Sequence, residues 1–101
     1  MLITTVIRKT LPVNEHLFVD ELEFNGIATR VVMYHNMQVS TFRSKMRMEL
    51  RDGYIREIKD LPIKDGLDLA LDQWGKIRMR ISLPIAAEYE HVLTFIIESV
   101  V

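Results

Sequence analysis

Apolar residues in the first half of the chain recur with two different spacings. Alternation with polar residues predicts three strands, at 2–8, at 27–34 and within 38–50. Between the first two strands the spacing is helical, with Asn14 at a capping position and Gly26 where a glycine commonly ends a helix, so we predict a helix at 14–24. A strand at 17–24 is the alternative, because Asn25 and Gly26 together are also a hairpin signal.

The second half repeats this order of elements. Alternation predicts strands at 54–59 and 76–83, and helical spacing between them predicts a helix at 65–74. The last segment, within 89–100, has apolar residues that fit one face of a helix, but it is also dense in β-branched residues. We predict a strand there, with a helix over 85–100 as the alternative.

The two halves also match in sequence when the chain is shifted by 50 positions, the spacing of the first two prolines (62 − 12 = 50). Residues 9–31 then align with 59–81 without a gap. The identical pairs are Lys9/Lys59, Leu11/Leu61, Pro12/Pro62, Leu17/Leu67, Ile27/Ile77 and Arg30/Arg80. We interpret the match as an internal duplication, with repeats at about 1–51 and 52–101. The alternative is that two unrelated segments share similar turn residues.

Together these patterns predict an α+β fold in a single domain over 1–101. Each repeat supplies a βαββ unit, the sheet is mostly antiparallel, and the two helices pack on one of its faces. A chain of 101 residues is long enough for one domain with a thin core, and short for two.

Composition excludes several classes of site. The formal net charge is −1, so no overall basic field attracts nucleic acid. The chain contains no cysteine, which excludes disulfides, thiolate metal sites and cysteine nucleophiles. Its apolar stretches are too short to span a bilayer, and basic residues follow the apolar N-terminal residues instead of preceding them. We therefore expect a cytoplasmic protein with no signal peptide and no membrane partner.

Positive charge is concentrated in two predicted strands. Alternate residues of a strand share a face, so each strand projects a row of cations. The six residues are Arg43, Lys45, Arg47, Lys76, Arg78 and Arg80. If the rows are neighbours, they form a basic surface for an anionic partner such as nucleic acid. The alternatives are a solvated sheet face, a charged edge strand, and ion pairing with the acidic segments of the chain.

The last predicted strand carries large apolar residues where the first repeat carries cations. In the shifted alignment, the cations of the first repeat correspond to Leu93, Phe95 and Ile97. Two short helices are too small to cover all the apolar strand surface that these patterns predict. We therefore expect these three residues to form an interface between two copies of the chain. The alternative is that this strand is central in the domain.

Residues capable of catalysis or metal binding are scattered. The chain has no glycine-rich phosphate loop, no nucleophile elbow and no zinc-protease motif. Glu88 and His91 have the spacing of one metal-binding pair, but the pair occurs once, and a metal site needs more ligands. His16 and His35 lie far from it in sequence. We expect no enzyme activity, no metal and no cofactor.

These features favour a non-enzymatic protein-binding module of the adaptor or inhibitor type, which acts as a homodimer through apolar strand surfaces. The expected partners are another protein and a second copy of the chain. The alternative is a nucleic-acid-binding protein that uses the basic rows as a sheet face. A third hypothesis is a small enzyme or ligand-binding domain, whose pocket lies at the axis between the repeats and contains a histidine.

Overall fold

The computed structural model describes residues 1–36, 46–52, 57–62, 66–83, 86 and 90–101. Within these ranges the chain forms six strands and no helix. The strands are β1 (Leu2–Leu11), β2 (Leu17–His35), β3 (Arg47–Asp52), β4 (Glu57–Pro62), β5 (Leu67–Ser82) and β6 (His91–Val100). The described part of the protein is therefore all-β, and the predicted α+β class with two helices is wrong.

Both predicted helices fall in long strands. Most of 14–24 belongs to β2, and most of 65–74 belongs to β5. The same residues that have helical spacing also alternate in burial, as buried Leu22 and Phe24 do with exposed Glu23. Pairing β2 with β5 along this alternation joins the backbone groups of both segments and buries one complete face, which outweighs a weak local preference for helix.

The six strands of the described part form one antiparallel sheet in the order β1-β6-β2-β5-β3-β4. The order is symmetric: if β1, β2 and β3 exchange labels with β4, β5 and β6, respectively, the same order is obtained from the opposite edge of the sheet. The central strands β2 and β5 begin at Leu17 and Leu67, which are 50 positions apart (67 − 17 = 50). A duplicated unit of three strands would produce this topology, and the duplication itself stays a prediction. The strand alternative at 17–24 and the strand in the last segment are confirmed.

The two central strands are too long to run straight. β2 has 19 residues, so a straight strand would extend about 60 Å, whereas the longest dimension of the protein is 40 Å. The strands bend at Gly26 and Gly75, whose φ angles of 82° and 74° lie in the left-handed region that favours glycine. Their pairing register also shifts between Glu23 and Ile27, as at a β-bulge.

The bend divides the sheet into two lobes. The first lobe contains β1, β6, residues 27–35 of β2 and residues 67–74 of β5. The second lobe contains β3, β4, residues 17–23 of β2 and residues 76–82 of β5. Lys9 of the first lobe and Asp20 of the second form an ion pair at 3.0 Å, so the lobes fold toward each other.

Apolar side chains from both lobes form a single buried core. Its members are Leu11, Leu22, Phe24, Ala28, Val31, Met33, Met46, Met48, Leu50, Ile77, Met79, Ile81, Leu83, Leu93, Phe95 and Ile97. Those that belong to strands point from the inner face of the sheet, which leaves the outer faces of the two lobes for contact with other molecules.

A second irregularity in β2 decides which of its side chains point outward. Between Ala28 and Arg30, β2 carries one residue more than β6, and the extra residue is Thr29. Buried positions are therefore even-numbered up to Ala28 and odd-numbered from Val31. As a result, Ile27 and Arg30 lie on the same outer face although they are three positions apart.

Candidate functional site

The outer face of the first lobe exposes several apolar side chains close together. We call these residues the outer apolar face, and they are Leu2, Val6, Ile27, Val32, Trp74, Ile96 and Val100. Val32 and Ile96 are half-buried, and the others are exposed. Contiguous exposed apolar surface commonly marks an interaction site, whereas scattered apolar residues do not.

Part of this face is a line of apolar residues across four neighbouring strands. The register of strand pairing places four residues side by side, one on each strand: Leu2, Val100, Ile27 and Trp74. Neighbouring strands lie about 4.8 Å apart, so the line is about 14 Å long. Its two ends are the most open, since Trp74 is 73% exposed and Leu2 is 61% exposed.

Trp74 points outward because it follows the alternation of β5. Leu69 and Leu71 pack against the core, while Asp72 and Trp74 face solvent. The shifted alignment pairs Trp74 with Phe24, which is buried. The core therefore buries Phe24 and leaves Trp74 exposed for another contact.

One charged cluster lies beside the apolar line. Arg30 donates two hydrogen bonds to the Asp68 carboxylate, at 2.9 and 2.7 Å, and its guanidinium lies 3.7 Å from the Glu98 carboxylate. The hydrogen bonds from Arg30 lower the pKa of Asp68, and the same contacts raise the pKa of Arg30. Arg30 and Glu98 are thus held in defined positions on the outer face of β2 and β6.

The outer face of the second lobe carries the predicted basic residues. Arg43 and Lys45 lie outside the described residues. The other four point outward on the neighbouring strands β3 and β5, and they are Arg47, Lys76, Arg78 and Arg80. The structure therefore brings the described members of both rows onto one face.

Acidic residues of β2 and β3 lie among these cations. Glu21 lies 3.3 Å from Lys76 and 3.8 Å from Arg78. Glu49 lies 4.0 Å from Arg80. Surface pairs of this kind contribute at most about 1 kcal/mol each, but they reduce the positive potential of the face. Ion pairing with the acidic segments was one of the alternatives, but the sequence alone did not identify Glu21 and Glu49 as the partners, because the order of strands in the sheet decides which residues become neighbours.

The apolar residues expected at an interface between copies lie elsewhere. Leu93, Phe95 and Ile97 point inward from β6 and are completely buried in the core, so they offer no surface to a second copy in this fold. The shifted alignment matched Ile97 with Arg47, which points outward from β3, although the inward-pointing neighbour on β3 is Met48. An offset of one residue exchanges the two faces of a strand, which explains why the alignment matched a cation with a core residue.

The third hypothesis expects a histidine in a pocket at the axis between the repeats, and an offset of 50 positions between β2 and β5 would place that axis near Gly26 and Gly75. The depression beside this axis has a volume of about 330 Å³, and its lining contains no histidine: Thr5, Glu23, Phe24, Asn25, Gly75 and Lys76. His35 and His91 lie at the far end of the first lobe, where burial lowers the pKa of His91. Glu88 is outside the described residues, and within those residues no three metal-ligating side chains gather.

In the part of the chain that the structure describes, no helix is long and apolar enough to cross a membrane. The sequence matches no protein-family model and no curated protein. The two outer faces, one apolar and one of mixed charge, are the surfaces through which the protein can contact other molecules.

Proposed function

We propose that this protein is a non-enzymatic protein-binding module of the adaptor or inhibitor type, which acts as a homodimer and makes contact through its outer apolar face. The observation that carries the proposal is the line of exposed apolar residues that ends at Trp74. The proposal includes a cytoplasmic location, and it needs neither a metal nor a cofactor.

Burial of Trp74 against a partner supplies a large part of the driving force. A tryptophan side chain presents up to about 250 Å², so the 73% of Trp74 that is exposed corresponds to roughly 180 Å². At about 25 cal/mol per Å² of apolar area, its burial contributes about 4.5 kcal/mol before the costs of association. Tryptophan is also among the residues that most often dominate the binding energy of an interface.

Nucleic-acid binding by the second lobe has less support. On β2, β3 and β5, its outer face carries five basic and three acidic side chains: Arg47, Arg51, Lys76, Arg78, Arg80, Glu21, Glu23 and Glu49. The acids contact several of these cations and repel phosphate. A small excess of positive charge gives a much weaker attraction to nucleic acid than an extended basic groove.

Light scattering tests the proposal by measuring molar mass against protein concentration, at low salt and at about 0.5 M salt. We expect a dimer in both, because salt does not screen apolar contacts. Trp74→Ser removes the largest contact and should raise the dimer Kd by more than about tenfold. Val19→Ser is the matched control, because Val19 is 55% exposed on the outer face of the second lobe, and it should leave the Kd unchanged.

A monomer at every concentration, or equal effects of the two substitutions, contradicts the proposal. A mobility-shift experiment with DNA and RNA on the same preparation tests the alternative. Binding that appears only at low salt and disappears in Lys76→Glu would favour nucleic acid as the partner.

A further inference from the structure

The two central strands of the outer apolar face are complementary to each other, residue by residue. β6 and β2 are paired there, and the outward-pointing partners are Val100 with Ile27, Glu98 with Arg30, Ile96 with Val32, and Thr94 with Tyr34. The pairs therefore join apolar to apolar, acid to base, and threonine to tyrosine. A second copy that lays its β6 over this β2 meets the same series of matches.

We propose that a second copy of the chain packs its outer apolar face against this one about a two-fold axis parallel to β2 and β6. This inference rests on the proposed function, because it names the partner of the same face and its orientation. The axis passes between β6 and β2, so β6 of each copy faces β2 of the other. Val100 then contacts Ile27 of the partner subunit, and Leu2 contacts Trp74 of the partner subunit.

Charge complementarity selects this axis over the other simple orientation. With the axis parallel to the strands, Glu98 faces Arg30 of the partner subunit, and symmetry repeats the contact. The other orientation has its axis in the interface but perpendicular to the strands, at the level of Glu98 and Arg30. In that orientation Glu98 would face Glu98 of the partner subunit, and Arg30 would face Arg30 of the partner subunit. Like charges held together in a desolvated interface disfavour that arrangement.

The size of the face also suits a dimer. Four strands span about 19 Å, and the ten residues of β6 extend about 34 Å, which gives a footprint of about 650 Å². A standard interface buries about 800 Å² on each partner, and protruding side chains add to the footprint. Sheets that pack face to face lie about 10 Å apart with their strands within about 30° of each other, as this axis requires.

Two single charge reversals test the orientation. In Arg30→Glu and in Glu98→Arg, the proposed interface of each homodimer contains two like-charge contacts, so the Kd of each should rise at least about tenfold. An equimolar mixture of the two variants places opposite charges together again across the interface. We expect the mixed dimer to form with a Kd within about threefold of that of the unmodified protein. Contacts within one chain cannot produce this recovery, since each chain in the mixture carries only its own substitution.

Cross-linking provides a second measurement that does not depend on charge. Because the chain contains no cysteine, Ile27→Cys and Val100→Cys each introduce a single thiol. A short bismaleimide should link the two variants in a mixture more rapidly than it links either variant alone, since these positions face each other across the proposed axis.

Arg80→Glu, on the second lobe, is the control for the charge reversals and should leave the Kd unchanged.

The outcomes separate this inference from the proposed function. One outcome is that Trp74→Ser weakens the dimer, but mixing the two charge variants does not restore the Kd and the two thiol variants are not linked preferentially. This outcome overturns the orientation and leaves the outer apolar face as the contact surface. A chain that stays monomeric at every concentration overturns both.

Discussion

The two bend glycines make a matched pair for testing how the sheet is folded. Both have positive φ angles, 82° at Gly26 and 74° at Gly75, so alanine at either position meets the backbone strain of the left-handed region, about 1–2 kcal/mol. The space around them differs. A Cβ atom at Gly26 would lie 2.1 Å from the carbonyl oxygen of Val100 and 2.8 Å from Cγ1 of Val101, whereas a Cβ at Gly75 meets nothing within 4 Å.

Gly26→Ala should therefore destabilise the fold more than Gly75→Ala does. The backbone of β6 must move to admit the methyl group, and overpacking of this kind costs about 1–3 kcal/mol. We expect a loss of about 1–2 kcal/mol for Gly75→Ala and about 2–5 kcal/mol for Gly26→Ala. The second value is a large fraction of the stability of about 5–15 kcal/mol that is typical of domains.

Urea denaturation followed by far-ultraviolet circular dichroism measures both losses. Hydrogen exchange supplies a local readout, because the Val101 amide donates to the Met1 carbonyl at 2.9 Å, and the Met1 amine donates to the Val101 carbonyl at 3.0 Å. Displacement of β6 by Gly26→Ala should expose the Val101 amide to faster exchange, and Gly75→Ala should not. Equal losses of stability, or a larger loss for Gly75→Ala, would refute the proposed close contact between the β2 bend and the end of β6.

Two further substitutions examine polar groups of the fold. The Ser99 hydroxyl is fully buried and has no hydrogen-bond partner among the described residues, so Ser99→Ala should leave the free energy of unfolding unchanged or raise it by about 1 kcal/mol. A loss of stability in urea denaturation would show that the hydroxyl has a favourable partner. Partial burial raises the pKa of Asp20, but hydrogen bonds from Lys9 and the Glu21 amide outweigh it, so the pKa is lowered overall. The Lys9–Asp20 ion pair therefore contributes fully to the stability of the fold above about pH 3.9, the pKa of aspartate in the unfolded chain. This contribution is lost as the pH falls through the pKa of Asp20 in the folded protein. Lys9→Ala should cost about 0.2–1 kcal/mol at neutral pH and reduce this acid dependence, and an unchanged pH profile would contradict the coupling.

Much of the strand content could be predicted from local patterns, because alternation in burial is a local property. β1 and β6 were predicted close to their observed positions, and the offset of 50 positions between the halves reappears in the starts of β2 and β5 (67 − 17 = 50). The predicted helices were wrong for a physical reason. Gly26 and Gly75 occur where glycines commonly end helices, but the left-handed conformation that glycine permits also bends a strand.

The candidate interaction surface was predicted less well than the strands. The basic residues Arg78 and Arg80 do lie on an outer face, since strand alternation alone places them there. Trp74 falls within the helix predicted at 65–74, and a large aromatic residue in an apolar periodic segment is more often buried than exposed. The exposure of Trp74 depends on whether its segment is a strand, in which side-chain direction repeats every two residues, or a helix, in which it repeats every 3.6. The local pattern fits both periods.

By itself, the sequence determined where apolar and polar residues alternate, where glycine and proline allow a turn, and that the chain has no cysteine. These properties depend on residue types at short spacings. Only the tertiary structure decided which face each residue occupies and which residues become neighbours. The extra residue at Thr29 exchanges the faces of β2, and the pairing of β5 with β2 and β3 brings Glu21 and Glu49 among the cations. Such contacts join positions far apart in the chain, so their energies enter only when the strands pair.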